Sequence, residues 1–169
     1  MKDEFTLLTF ALDPVWYALS IHEVREVVPL PELTPLADAP PFVSGIFNLR
    51  GKVVTTIDLR LRMGLSRRPS DRKTAVLVTP FQENLFGLIV DRALSLIQMS
   101  REEMEPAPDF SAFLGSLQSQ FLIGVGKCEG RLIPILNPQR IFSVIEAQEL
   151  GDWQTQETRT ETRTDTRTK

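Results

Sequence analysis

The chain is poor in the residues that carry most active-site chemistry. Among its 169 residues there is one cysteine, Cys128, and one histidine, His22. A lone cysteine excludes an internal disulfide and a thiolate-rich zinc site, and a lone histidine leaves little for a metal centre or a His-based triad. Both read as packing residues. There is no Gly-rich phosphate loop, because Gly124-Val-Gly126 lacks the downstream glycine and lysine and falls in a strand-like run. No Gly-x-Ser-x-Gly elbow occurs. No apolar run approaches the roughly 18 to 20 residues of a membrane span. The N-terminal MKDEFTLLTFALD is acidic and broken by Asp13-Pro14, unlike a signal peptide. The expectation is a cytoplasmic protein in a reducing setting, with no metal and no cofactor.

Excess charge is lacking too. The chain holds 19 basic and 22 acidic residues, with four of each from Gly151 onward, so the preceding body is mildly acidic. That disfavours a nucleic-acid binder driven by phosphate neutralisation. What is present is a 42% hydrophobic content, enough for one domain or two small intertwined ones.

Short β-rich runs punctuated by glycine and proline dominate the pattern. Phe5 to Leu12 and Val15 to Ser20 flank Asp13-Pro14 as a hairpin. Ile21 to Val28 fits one helical turn passing into a strand. Prolines at 29, 31, 35, 40 and 41 predict an extended crossing over the surface. Gly45 to Leu49 and Lys52 to Ile57 form a second hairpin around Arg50-Gly51. Asp58 is placed to cap the following DLRLRM turn, and Gly64 to end it. Thr74 to Thr79 and Leu85 to Val90 read as strands, the second covered on both faces, and Ser95 to Met99 as a further one. Ser100-Arg-Glu-Glu103 has capping-box spacing. Phe121 to Lys127 and Arg131 to Leu136 flank a third hairpin at Cys128-Glu129-Gly130, and Asn137-Pro138 opens a terminal helix running to about Leu150.

The expected class is mostly β, as two small intertwined five-stranded antiparallel barrels with short helices and a C-terminal helix. Within the segment 151–169 the chain repeats an acidic-Thr-Arg-Thr unit three times, from Glu157 to Thr168. In a helix this period would stack like charges four apart, so the segment reads as a disordered tail.

Few side chains present themselves for chemistry. Asp58 and Asp91 each follow an apolar run and would serve a paired-acid enzyme only if they shared a cleft; capping and turn roles explain them more simply. The cluster Arg60, Arg62, Arg67, Arg68, Arg72 and Lys73 reads as a solvated loop. Its alternative is a small barrel module binding nucleic acid or an anionic ligand, although interleaved aromatics for stacking are missing. Arg50 stays open between a neutral turn position and a fork that orients a partner.

At this point the chain resembles the CheW-like domain of bacterial chemotaxis coupling proteins. The resemblance rests on YALSIHEVREVV (Tyr17 to Val28), APPFVSGIFNLRG (Ala39 to Gly51), VVTTIDLRLRMGL (Val53 to Leu65), LFGLIVDRALSLIQMS (Leu85 to Ser100) and FLIGVGKCEGRLIPILN (Phe121 to Asn137). It implies a domain over residues 1–150, and a non-catalytic adaptor between methyl-accepting chemoreceptors and a CheA-type histidine kinase in a chemotaxis, twitching or phototaxis array. It implies no nucleic acid and no direct membrane insertion, with the protein cytoplasmic at membrane-associated receptor arrays. Carried over position by position, it marks Val24, Gly45, Asn48, Arg50 and Gly51 as receptor-binding, and Glu26 as a kinase or receptor contact. Two places depart from the family pattern. Thr55-Thr56 stands where Val-Pro or Pro-Val is usual, which predicts a more regularly paired strand, and Asn137-Pro138 stands where an aspartate is common.

Overall fold

The computed structural model describes residues 3–106 and 118–142. The first hairpin pairs β1 (Glu4–Leu12) with β2 (Val15–Ser20), from Leu7 opposite Ser20 to Leu12 opposite Val15. A 3-10 turn at Ile21–Glu23 follows, with the Ser20 hydroxyl accepting from His22 N, and opens into β3 (Glu26–Pro29). The proline-rich crossing then leads to the hairpin of β4 (Val43–Leu49) and β5 (Lys52–Asp58). The helical turn α1 (Leu59–Arg62) is capped by Asp58, whose Oδ1 accepts from Leu61 N at 3.3 Å.

The second half of the chain is again mostly strand. It comprises β6 (Ala75–Phe81), β7 (Asn84–Val90), β8 (Arg92–Ser100), β9 (Met104–Pro106), β10 (Leu122–Cys128), β11 (Arg131–Leu136) and the short helix α2 (Pro138–Ile141). Between β8 and β9 the Ser100–Glu103 capping box forms as its spacing predicts. Asn137 caps α2, its Oδ1 accepting from Gln139 N at 2.9 Å. The rest of the expected helix to Leu150, and the tail 151–169, lie outside the described residues.

These strands make two sheets, ordered β8-β1-β2-β11-β10-β9 and β3-β6-β7-β5-β4. The N-terminal hairpin thus shares a sheet with the C-terminal strands while the middle of the chain builds the other, which is the intertwining the sequence implies. The detail differs from ten antiparallel strands. The first sheet has a sixth, three-residue strand in β9, and two contacts are parallel, β2 with β11 and β5 with β7. A parallel pair needs a crossover, and α1, the polar loop and β6 supply it between β5 and β7.

Strand alternation divides the apolar side chains into three clusters. Leu8, Phe10, Leu12 and Leu19 from the first sheet meet Ile57, Leu77, Phe86 and Leu88 from the second in a shared core. The alternate positions Leu7, Ala18, Met99, Ile133 and Ile135 pack on the far side of the first sheet. Val54, Val76, Val78 and Leu85 do the same behind the second. Met99 on β8 lies against Gly126 on β10, so the first sheet curls back on itself. Two curled sheets, each with its own interior, flank one common core. Each fully buried Leu, Ile or Phe there contributes roughly 1.5–3 kcal/mol of transfer free energy.

Candidate partner-binding surface

The tip of the β4–β5 hairpin is shaped by its own side chains. Arg50 and Gly51 hold φ of 50° and 87°, the left-handed pair that a tight two-residue hairpin requires. Asn48 Oδ1 accepts from Gly51 N at 2.7 Å and closes the bend. With the turn fixed, the Arg50 side chain projects outward and stays 76% exposed.

Its fork is nonetheless engaged. Arg50 Nη1 and Nη2 donate to Glu26 Oε1 and Oε2 at 2.5 and 3.1 Å, a bidentate pair. The hydrogen bond to Glu26, and then its negative charge, raise the Arg50 pKa above the usual guanidinium value. Glu26 belongs to β3 and Arg50 directly follows β4, the two outer strands of the second sheet. The pair therefore links the opposite edges of that sheet across its curl.

Gly45 sits below this surface. It is buried at φ 147°, and a Cβ there would lie 2.6 Å from Thr34 O. Its carbonyl accepts from Thr56 Oγ1 at 2.7 Å. The departure at Thr55-Thr56 thus has a local purpose: both threonines are fully buried, and β5 pairs with β7 without a register shift from Val54 to Asp58. Val24 follows the 3-10 turn, donates its N–H to Ile21 O, and packs half-buried against the shared core. The structure therefore brings Arg50, Glu26, Asn48 and Gly51 together at one surface, while Gly45 is buried within β4 and Val24, two residues before Glu26, packs half-buried against the shared core.

A feature that the motifs did not single out lies along the outer edge of β3. Val27, Val28 and Pro29, with Thr74 and Ala75, face Arg92, Ala93 and Leu94 at the start of β8 across a groove of about 480 Å³. It opens at the seam between the two sheets. Val27 is 41% exposed on this edge. The signal in the sequence was VREVV itself, where valines occur at both faces of a short strand, so one of them must face outward.

The basic cluster divides: residues 66–73 form the exposed loop expected, whereas Arg60 and Arg62 in α1 are drawn inward. Arg60 Nη1 donates to Asp91 Oδ2 at 2.7 Å and its Nε to Ser66 O at 2.8 Å, leaving the side chain only 16% exposed. Arg62 donates Nε to Ile141 O and lies over the rings of Phe42 and Phe121. Arg68 bridges Asp13 and Asp91. Three of the six cations are thus committed internally, which removes much of the free charge an anion-binding face would need. The correction has a plain cause: Asp13 and Asp91, distant in sequence, meet this segment where β7 passes into β8. Asp58 and Asp91 do line one cleft of about 300 Å³. Yet Asp58 caps α1, and Asp91 Oδ2 accepts from Arg60, Arg68 and Asp13 N together, so both act as charged structural groups. Among the described residues no group of three His, Cys, Asp or Glu could hold a metal ion, and no helix is long and apolar enough to cross a membrane.

The family model of the CheW-like domain matches residues 6–146 of the chain. The chain belongs to the CheW-like domain family. It is 31% identical to the chemotaxis protein CheW of Helicobacter pylori over 141 residues, 83% of each chain. It is 29% identical to that of Klebsiella aerogenes over 136 residues, 80% of each. Among solved structures it is similar to the scaffolding protein TtCheW from Thermoanaerobacter tengcongensis, with a TM-score of 0.76 and 29% identity, covering 86% of this chain and 96% of that one. With this CheW-like fold goes the family's role of chemotaxis coupling adaptor.

Proposed function

We propose that this CheW-like chain holds methyl-accepting chemoreceptors and a CheA-type histidine kinase in one signalling array without catalysing a reaction, and that the receptor docks at the hairpin and β3 edge. The observation that carries the placement is the exposed Arg50 fork, fixed by a left-handed turn and by Glu26 beside an apolar edge strand. Val24 and Val27 would supply apolar contact there, while Asn48, Arg50 and Gly51 set register. Gly45 would act from beneath by keeping β4 close to Thr34. Glu26 is a contact of either partner.

Such a protein works through binding alone. Coupling is the difference between its affinities for the signalling states of the receptor, transmitted to the kinase held on the same adaptor. Its place is the cytoplasmic side of membrane-associated arrays, reached through partners rather than by insertion.

The test is Arg50→Asp in the full chain, with folding checked by circular dichroism. Co-sedimentation with receptor signalling fragments and kinase should lose the receptor. Normal ternary assembly by the folded variant would mean that the site is misplaced.

A further inference from the structure

The groove at the sheet seam has a charge polarity along its length. Just outside it, at the start of β3, Glu26 and Arg50 neutralise each other. Within it, where Pro29 pairs with Ala75 and Leu30 N donates to Thr74 O, the wall is Arg72, Lys73 and Arg92. Arg72 and Lys73 are exposed, and their side chains have no ion-pair partner among the described residues. Arg92 gives Nη2 to Asp13 at 3.2 Å, while its Nε has no acceptor among the described residues. The same strand edge therefore runs from a neutral end to a cationic one, above a floor of Val27, Ala93 and Leu94.

From this we infer that Arg72 and Lys73, with Arg92 behind them, determine specificity and orientation: they read a carboxylate on an amphipathic receptor segment whose apolar face lies on Val27 and Leu94, so that its acidic end lies over the Pro29 end of β3. Charge complementarity selects this occupant. An apolar floor takes an apolar face in either direction, and only the cationic end distinguishes the two. A basic segment, or an acidic one laid in reverse, leaves Arg72 and Lys73 unmatched. Both are exposed, but they line one cleft with Asp13, Arg68, Asp71 and Asp91, so the fold of each variant is checked by circular dichroism before binding is measured. The inference rests on the receptor docking proposed above.

The experiment uses the full chain and the purified signalling fragment of the chemoreceptor that co-purifies with it, with the kinase regulatory domain titrated in parallel. Affinities are measured for wild type, Val27→Asp and the double variant Arg72→Glu/Lys73→Glu at about 0.05 and 0.3 M salt, where screening lengths differ about 2.5-fold. The expected result is loss of receptor binding with Val27→Asp. The double variant should bind receptor about tenfold more weakly at low salt with a flattened salt dependence, and bind kinase unchanged. A double variant that binds receptor as wild type does, or that loses kinase instead, overturns the orientation reading while leaving the docking site intact. Receptor binding indifferent to Val27→Asp, or absent from the wild type, overturns both.

Discussion

Arg60 and Asp91, 31 residues apart, meet at 2.7 Å with side chains only 16% and 8% exposed, at the point where the chain leaves the second sheet for the first. Around Asp91, Arg68 and the Asp13 backbone N–H donate to the same carboxylate oxygen. Because Asp13 lies in the β1–β2 turn and Arg60 in α1, the cluster joins both sheets.

Removing one member of a buried pair leaves the other charged and desolvated. Asp91→Ala should therefore destabilise the protein by about 3–5 kcal/mol, well beyond the lost attraction. Urea denaturation of the two proteins at neutral pH measures it. A cost below about 1 kcal/mol, typical of surface ion pairs, would show that water reaches Arg60 freely.

Asp13 gives the same cluster a pH dependence. The hydrogen bond from Arg68 lowers its pKa most, burial opposes this, and Arg92 lowers it further. With the folded value below the unfolded one of about 3.9, the stabilisation is complete above that value and is lost as pH falls through the folded pKa. Asp13→Asn should thus be less stable than wild type near neutrality and converge on it as pH falls through the lowered folded pKa. Thermal melts from pH 7 down to 2.5 check the sign; a gap that widens on acidification would refute it.

How much of this could be read in advance follows from the distance over which each feature is decided. The hairpins at Asp13-Pro14, Arg50-Gly51 and Cys128-Glu129-Gly130, and the caps at Asp58 and Asn137, depend on neighbours within a few residues, and all of them form as their residues imply. The parallel β5–β7 contact and the burial of Arg60 and Arg62 depend on which distant strand arrives alongside. No local pattern carries that information. The partner surface divides the same way: Asn48 and Gly51 are legible as turn chemistry, the Arg50–Glu26 pair emerges only when β3 and β4 become facing edges, and the family resemblance rather than spacing pointed to both.

The C-terminal turn is tied to the second sheet by aromatic packing. Phe142, 2% exposed, lies 4.6 Å from the Phe86 ring and 5.5 Å from Phe81, measured between centroids. Phe142→Ala should cost about 3–5 kcal/mol and lower the denaturation midpoint without changing the assembly partners of the molecules that stay folded. A midpoint within error of wild type would place the ring outside the core.

Gly45 separates a contact role from a supporting one. The resemblance marks it as receptor-binding, whereas the structure buries it at φ 147° with Thr34 O where a side chain would begin. An alanine must either force β4 away from the crossing or adopt a backbone conformation that L-residues rarely hold, at about 1–3 kcal/mol. Gly45→Ala should therefore act first on folding, with a lowered melting temperature and faster amide exchange at Ile46, whose N–H donates to Thr34 O at 2.8 Å. Receptor affinity, corrected for the folded fraction, should fall only as far as the hairpin tip is displaced, much less than for Arg50→Asp. An unchanged melting temperature combined with lost receptor binding would reverse that assignment and make Gly45 a direct contact.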